Sequence, residues 1–310
     1  MTTNRAYLIG NLAADAKFEI LKNNTPCLRF MVIVPRSSDQ VSARFLGYTR
    51  QDGRLDKSRV PTELKDSLKD QLQVACYGHR AQQIAASVRA GVRVAVDGWT
   101  EERRFFDREV DRYRVVYEIN AAHILVADGN CASDAVTNRV HVIGHLEKDP
   151  LFEVIGGSVP CLRMRLRVPR GPRQVSAEMV PYTTEQGWLD RAALPRELRG
   201  RLVDILSLVV YGQRALLYSK YLRQAAQIAV EGWSEERRFQ DRTVKRERRV
   251  QEINAVQIVC GPGSDFEAGE AYRRRLIAEA QERGAYNLAE LGLEPVPMVE
   301  SNLERGGYGN

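Results

Sequence analysis

Residues 4–126 return at 138–260 without a gap. Every position finds its counterpart 134 residues further on, and roughly two in five paired residues are identical, so this is a duplication rather than shared composition. Asn4-Arg5 returns as Asn138-Arg139, Pro26-Cys27-Leu28-Arg29 as Pro160-Cys161-Leu162-Arg163, and Tyr77-Gly78 as Tyr211-Gly212. Gly98-Trp99 returns as Gly232-Trp233, and Glu118-Ile119-Asn120-Ala121 as Glu252-Ile253-Asn254-Ala255. A unit of this length buries a core of its own. The chain is therefore expected to divide into domains at 1–126 and 138–260, with a linker at 127–137 and a tail at 261–310.

Each repeat reads mainly as β structure. Residues 4–12 alternate up to the Gly10 break, 27–35 form a β-rich run ended by Pro35, and 72–77 form another. Residues 79–90 have helical spacing, with Gly91 at the expected cap. Period-2 alternation follows in VRVAVDGW, 99–117 read as two arms of a hairpin around Asp107-Arg108, and 117–126 close the unit. Three strands, a helix and two strands predict an all-β chain of two tandem OB-type Greek-key barrels. A long insertion at 36–71 and 170–205 separates the second and third strands, with helix-like pieces starting at Pro61 and Pro195. It is too long to be structureless in a compact unit and is expected to be partly ordered. The tail predicts a helix over 264–284, capped by Ser264 or Asp265, with Ile277 and Ala280 in its apolar set. Past Gly284 the pattern weakens towards a disordered end.

The net charge of +6 is unevenly spread. The repeats carry +5 and +7 and the tail −4, which suits a polyanionic ligand on the repeats. No run of about 18 apolar residues suggests a membrane helix. The start, MTTNRAYLIG, goes straight into a strand pattern and does not read as a signal peptide. Cys27, Cys76, Cys131, Cys161 and Cys260 are scattered, which suits a reducing cytoplasm and argues against a disulfide framework or zinc site. Neither a Walker loop, a Gly-x-Ser-x-Gly elbow nor a His-Glu-x-x-His pair occurs. The pairs Glu101-Glu102 and Glu235-Glu236 point to opposite strand faces and read as solvated hairpin charges. Binding is therefore expected rather than catalysis, with no cofactor and no metal.

Two patterns carry that expectation. In Leu162-Arg163-Met164-Arg165-Leu166-Arg167-Val168 the apolar residues go inward, and Arg163, Arg165 and Arg167 line the outer face. Repeat 1 has only Arg29 there, followed by Phe30, Met31, Val32 and Ile33, so the repeats are not expected to bind identically. On the hairpins, Arg103, Arg104, Arg108, Arg112 and Arg114 recur as Arg237, Arg238, Arg242, Arg246 and Arg248. Trp99 and Phe105 recur as Trp233 and Phe239, and Tyr77 and Tyr211 end the third strand. Arginine bonds phosphates and stacks on bases, and an aromatic ring is a sequence-tolerant platform for an unpaired base. The tryptophans and tyrosines also fit barrel packing. Cys27 and Cys161 fit small buried hydrophobes.

The sum resembles the bacterial single-stranded DNA-binding protein family. The resemblance rests on NRAYLIGNLAADAKFE and NRVHVIGHLEKDPLFE, the Tyr-Gly step before a helix, VAVDGW and IAVEGW, and the closing YEINAAHIL and QEINAVQIV. It implies non-specific single-stranded DNA binding and protection in replication, recombination or repair. It also implies base stacking at Tyr77, Phe105, Tyr211 and Phe239, and a nucleoid-associated cytoplasmic protein. A tandem member of that family pairs into a homodimer presenting four OB folds. The chain departs from the family where a tryptophan usually precedes the Tyr-Gly step, having Gln71-Leu72-Gln73 and Ile205-Leu206-Ser207. Its terminus, Gly306-Gly307-Tyr308-Gly309-Asn310, lacks the acidic tip that recruits replication and repair partners. A non-catalytic OB scaffold in a replication or mobile-element complex, and an RNA binder, are the alternative readings.

Overall fold

Alternation along the first strand decides which of its side chains build a core. In β1 (Thr3–Leu12), Asn4, Ala6, Leu8 and Leu12 are buried, and Arg5, Tyr7 and Ile9 face outward. The computed structural model describes residues 3–50, 52–107, 111–127, 137–241, 246–282 and Val296. β1 is followed by β2 (Lys17–Ile20), β3 (Pro26–Pro35), β4 (Lys69–Tyr77), α1 (His79–Ile84), β5 (Arg93–Asp107) and β6 (Arg112–Ala127). The order recurs as β7 (Thr137–Leu146), β8 (Leu151–Ile155), β9 (Val159–Pro169), the one-turn α2 (Arg196–Arg199) and β10 (Val203–Tyr211). Then come α3 (Gln213–Tyr221), β11 (Gln227–Asp241) and β12 (Arg246–Cys260).

β1 pairs with β5, β5 with β6, β6 in parallel with β4, and β4 with β3, which returns to β1 at Asn11 and Ile33. That ring is an OB barrel, and β7, β11, β12, β10 and β9 close a second. The expected strand order is present, with β2 and β8 added as short edge strands that are too brief to show a period. α1 ends at Ile84, shorter than the helical spacing to residue 90 suggests. The β5–β6 and β11–β12 ladders bulge beside Gly98 and Gly232, with the extra residue, Ala122 or Val256, on β6 or β12. At either glycine a Cβ would stand 2.2 Å from the carbonyl oxygen of Asn120 or Asn254, so the strands approach this closely only because the residue is glycine.

The barrels are joined strand to strand. β1 and β7 run antiparallel with Ala6 opposite Val140, its own counterpart, which places a local two-fold axis at that pair. Both insertions are ordered in their described residues, around apolar trios of Phe45, Leu55 and Val60 and of Met179, Leu189 and Leu194. Each insertion reaches the opposite repeat. Gln40 Nε2 donates to the Asn138 carbonyl (2.8 Å), and Gln174 Nε2 to the Asn4 carbonyl (2.7 Å). Asn23 and Asn120 donate to the carbonyls of Ala177 and Val175 at 3.0 and 3.2 Å.

A buried ion cluster marks the root of each insertion, and the solvated reading of Glu101, Glu102, Glu235 and Glu236 is corrected: the Glu102 and Glu236 side chains too are only 6% and 8% exposed. Arg36 Nη2 donates to Asp70 Oδ1 (2.6 Å) and its Nη1 to Glu235 Oε1 of the other repeat (3.1 Å). Arg170 Nη2 likewise bridges Asp204 Oδ1 (2.6 Å) and Glu101 Oε1 (3.2 Å). Asn254 and Asn120 donate to the second oxygens of Glu235 and Glu101 at 2.9 and 2.7 Å. Glu101 and Glu235 are 5% and 4% exposed because the facing repeat covers that side of each hairpin.

The tail helix α4 (Phe266–Glu282) packs on α3. Asp265 caps it, accepting from the Ala268 backbone N–H at 3.0 Å. Tyr221 donates to Glu270 Oε1 (2.6 Å) and meets the Phe266 ring edge-on. The disorder expected past Gly284 lies outside the described residues.

Candidate nucleic-acid interface

β4 ends where the hairpin crosses it, which places Tyr77 over β6. Its hydroxyl donates to Glu118 Oε1 (2.6 Å), a carboxylate with no exposed surface. Arg103 Nε sits 3.3 Å from the other oxygen of Glu118, and Arg29 pairs with Glu19 on β2. Repeat 2 copies the arrangement. The Tyr211 hydroxyl lies 3.3 Å from Glu252 Oε1, with Arg237 and Arg163 at 3.4 and 3.7 Å from the same carboxylate. Burial, and next the adjacent glutamate, hold both phenols far above their ordinary pKa, so both rings stay neutral. Burial also raises Glu252 against the opposing charge of Arg237. Each barrel thus presents a half-buried tyrosine, pinned by its hydroxyl and flanked by guanidinium planes. That assembly offers a base a fixed ring and a phosphate a cation.

The arginine row on β9 stands as expected in direction but not in charge. Leu162, Met164, Leu166 and Val168 are buried. Arg163 is held by Glu153 at 2.5 Å and Arg165 by Glu147 at 2.7 Å, so two of the three cations are already partnered. Arg167 is exposed and forms no ion pair among the described residues. On the first hairpin Arg104 pairs with Glu102 (2.5 Å) and Arg114 with Asp107 (2.6 Å). Arg112 is described on β6. Arg108 and Arg242 lie outside the described residues, as do the side chains of Phe105, Arg238, Phe239, Arg246 and Arg248. Trp99 and Trp233 are 4% and 2% exposed, so they pack beside the bulges and present no ring to solvent. Cys27 and Cys161 are fully buried.

Sequence reasoning gave no role to five exposed aromatics: Phe18 and Phe152 on the edge strands β2 and β8, and Phe106, Tyr113 and Trp188. Phe106 and Tyr113 face each other across β5 and β6, edge to face with centroids 5.3 Å apart. Trp188, in the second insertion, lies under the guanidinium of Arg173 at 5.1 Å. Phe106, Tyr113 and Trp188 do not recur, their counterparts being Gln240, Glu247 and Arg54, whereas Phe18 and Phe152 are counterparts of each other on strands too short to show a period.

Residues 3–127 match the model of the single-strand binding protein family. The matched span is the first repeat, about two fifths of the chain, and that repeat is similar to this family. Its β1–β6 barrel, with Tyr77 and the β5–β6 hairpin, falls inside the matched span. Among solved structures the chain is similar to the wild-type single-stranded DNA-binding protein of Thermus aquaticus, with a TM-score of 0.55 and 14% identity over 84% of this chain and 93% of that one. A deletion variant of the same Thermus aquaticus protein gives a TM-score of 0.56 and 15% identity over 86% and 97%. At that identity the likeness establishes the fold. No curated protein matches the chain.

Proposed function

We propose that this chain binds single-stranded DNA without sequence preference and protects exposed strands during replication, recombination or repair, as a non-enzymatic protein of the bacterial cytoplasm. The observation that carries the reading is the duplicated Tyr–Glu–Arg cluster, Tyr77 with Glu118 and Arg103 and Tyr211 with Glu252 and Arg237. Residues 1–126 and 138–260 act as the two binding domains. Bases stack on the tyrosines and on the hairpin positions Phe105 and Phe239, and phosphates take the hairpin and β9 arginines. Fluorescence anisotropy with labelled oligo-dT tests this directly, with duplex DNA and RNA of matched length as competitors. Tight, competitor-resistant oligo-dT binding is expected, and equal binding of duplex would refute it. The salt response is diagnostic too. Thirteen hairpin and β9 arginines, each given over to a phosphate, would give a log–log slope of about −9, at roughly −0.7 per phosphate neutralised. Because several already hold carboxylates, a negative but clearly shallower slope is expected.

The same reading makes the protein a homodimer with four barrels. The outer side of β6, β5, β1, β7, β11 and β12 is one continuous surface. It carries Ile9, Ala95 and Leu125 with their counterparts Ile143, Ala229 and Val259, and Leu125 is 73% exposed. A second copy of this surface would cover that apolar strip. Sedimentation equilibrium is expected to return twice the chain mass of 35.1 kDa, and the monomer mass would exclude the dimer.

A further inference from the structure

The repeats differ in charge on the strand that bears Arg165 and Arg167 and in aromatic content on the hairpin that bears Phe106 and Tyr113. These features belong to different repeats, yet the β1–β7 junction brings them to one place. One face of the first hairpin carries Glu102, Arg104 and Phe106 on β5, opposite Tyr117, Val115 and Tyr113 on β6. Its base rests on repeat 2, where the Tyr117 hydroxyl donates to the Ile205 carbonyl (3.2 Å) and meets Ser207 Oγ (3.1 Å). Ile205 and Ser207 pair with Arg167 and Arg165 on β9. Arg165 and Arg104 both act on the Tyr117 phenol, whose pKa burial raises, which places the two cations at the same crossing. From Tyr117 the hairpin rises four residues, about 13 Å, to Tyr113.

Among the described residues the opposite crossing lacks this chemistry. There Arg249 Nη1 donates to Gln71 Oε1 (2.8 Å), and Gln71 pairs with Ile33. The strand positions equivalent to Arg165 and Arg167 are Met31 and Ile33, and the hairpin positions equivalent to Phe106 and Tyr113 are Gln240 and Glu247. Among the described residues, only this crossing joins exposed rings to an exposed cation. Phe106 is 46% and Tyr113 77% exposed, a large apolar surface to leave in water beside an arginine strand.

We propose that this crossing is a composite single-stranded DNA site, with bases stacked on Phe106 and Tyr113 of repeat 1 and phosphates on Arg167 and Arg165 of repeat 2. The proposal rests on the single-strand-binding reading and adds that the chain has one dominant site, built by both repeats, where a duplicated protein suggests two equal ones. The strand runs from the hairpin rings down onto β9, so neither repeat alone would hold it.

The test uses the full chain and oligo-dT carrying 5-iodouracil. Photo-crosslinks are expected in the segment 104–117 and in 161–169, with the second hairpin, 238–251, labelled weakly or not at all. In anisotropy titrations Phe106→Ala with Tyr113→Ala is expected to weaken oligo-dT binding by about 10-fold or more, as loss of stacking surface would. Arg167→Glu is expected to weaken binding and to reduce crosslinking at Tyr113. Crosslinks spread equally over both hairpins, or an unchanged affinity in the double variant while the unmodified chain binds oligo-dT, would overturn the composite site and leave the functional reading intact. No binding by the unmodified chain would remove both. The crosslinking arm needs no substitution, so a folding defect in a variant cannot mask the result.

Discussion

Arg170→Ala is expected to lower the unfolding free energy by about 3–5 kcal/mol, and Arg36→Ala by a similar amount. Each guanidinium is 3–4% exposed and is shared between an aspartate of its own repeat and a glutamate of the other. Truncation strands two buried carboxylates at once. Lysine at either position is expected to recover little, because a single ammonium cannot reproduce the two-pronged donation of Arg170 to Asp204. Urea unfolding followed by circular dichroism measures the loss, with Arg167→Ala as a surface control expected within about 0.5 kcal/mol. A loss under about 1 kcal/mol for Arg170→Ala would mean that the cluster is not structural. The pH response is linked. Burial outweighs the opposing arginine and raises Glu101 from 4.5 to about 7 and Asp70 from 3.8 to about 6. Between the ordinary and the raised values the folded chain keeps protons that the unfolded chain has released. Stability therefore falls as pH rises through that window, and the unfolding midpoint should be higher near about pH 5.5 than near about pH 8.

The barrels were legible because their signals are local and occur twice. Alternation at 4–12, 27–35 and 93–98 and the Tyr-Gly step before a helix each recur 134 residues later. The hairpin acids were not legible in the same way. Alternation correctly puts Glu101 and Glu102 on opposite faces, but it does not show that both side chains are buried in the folded chain. The insertions were not legible either. Their apolar trios are spaced ten and five residues apart, at 45, 55 and 60, which matches neither a helical nor a strand period. Only the fold shows that these loops clasp the opposite barrel through Gln40 and Gln174.

The arginine row shows a second limit. Its outward direction follows from period 2, but its charge is set by neighbours distant in sequence: Glu153 on the edge strand β8, Glu147 after β7, and Glu252 on β12. A carboxylate beside each guanidinium preorganises it and lowers the net charge that a phosphate meets. Exposed pairs of this kind exchange partners at small cost. The row can therefore still serve a strand, with weaker steering than its residue count suggests. The tyrosines, read as either core or platform, are half-buried, with the hydroxyl spent on a buried glutamate.

Gly98→Ala should destabilise the chain by about 3 kcal/mol or more, and Gly232→Ala likewise. The added methyl would meet the Asn120 or Asn254 carbonyl at 2.2 Å, a backbone atom that cannot rotate away. The bulge also sets the register of the next residues along β5. Trp99 is buried, the Thr100 backbone exchanges hydrogen bonds with the Asn4 amide at 2.8 and 3.1 Å, and Glu101 enters the Arg170 cluster. Gly47→Ala is the control, since a Cβ there has nothing within 4 Å, and it is expected to be nearly neutral. A cost under about 1 kcal/mol for Gly98→Ala would show that β5 and β6 separate easily at the bulge. The two largest effects should also be coupled. The carbonyl that the methyl strikes belongs to Asn120, and the side chain of that residue donates to Glu101 at 2.7 Å. Pushing Asn120 away loosens the carboxylate that Arg170 bridges, so part of the arginine's contribution is already lost in Gly98→Ala. A double-mutant cycle is expected to return less than the sum of the two single losses, by about 0.5 kcal/mol or more. Strict additivity would mean that the bulge and the inter-repeat ion cluster are independent, and that glycine at this position serves the barrel alone.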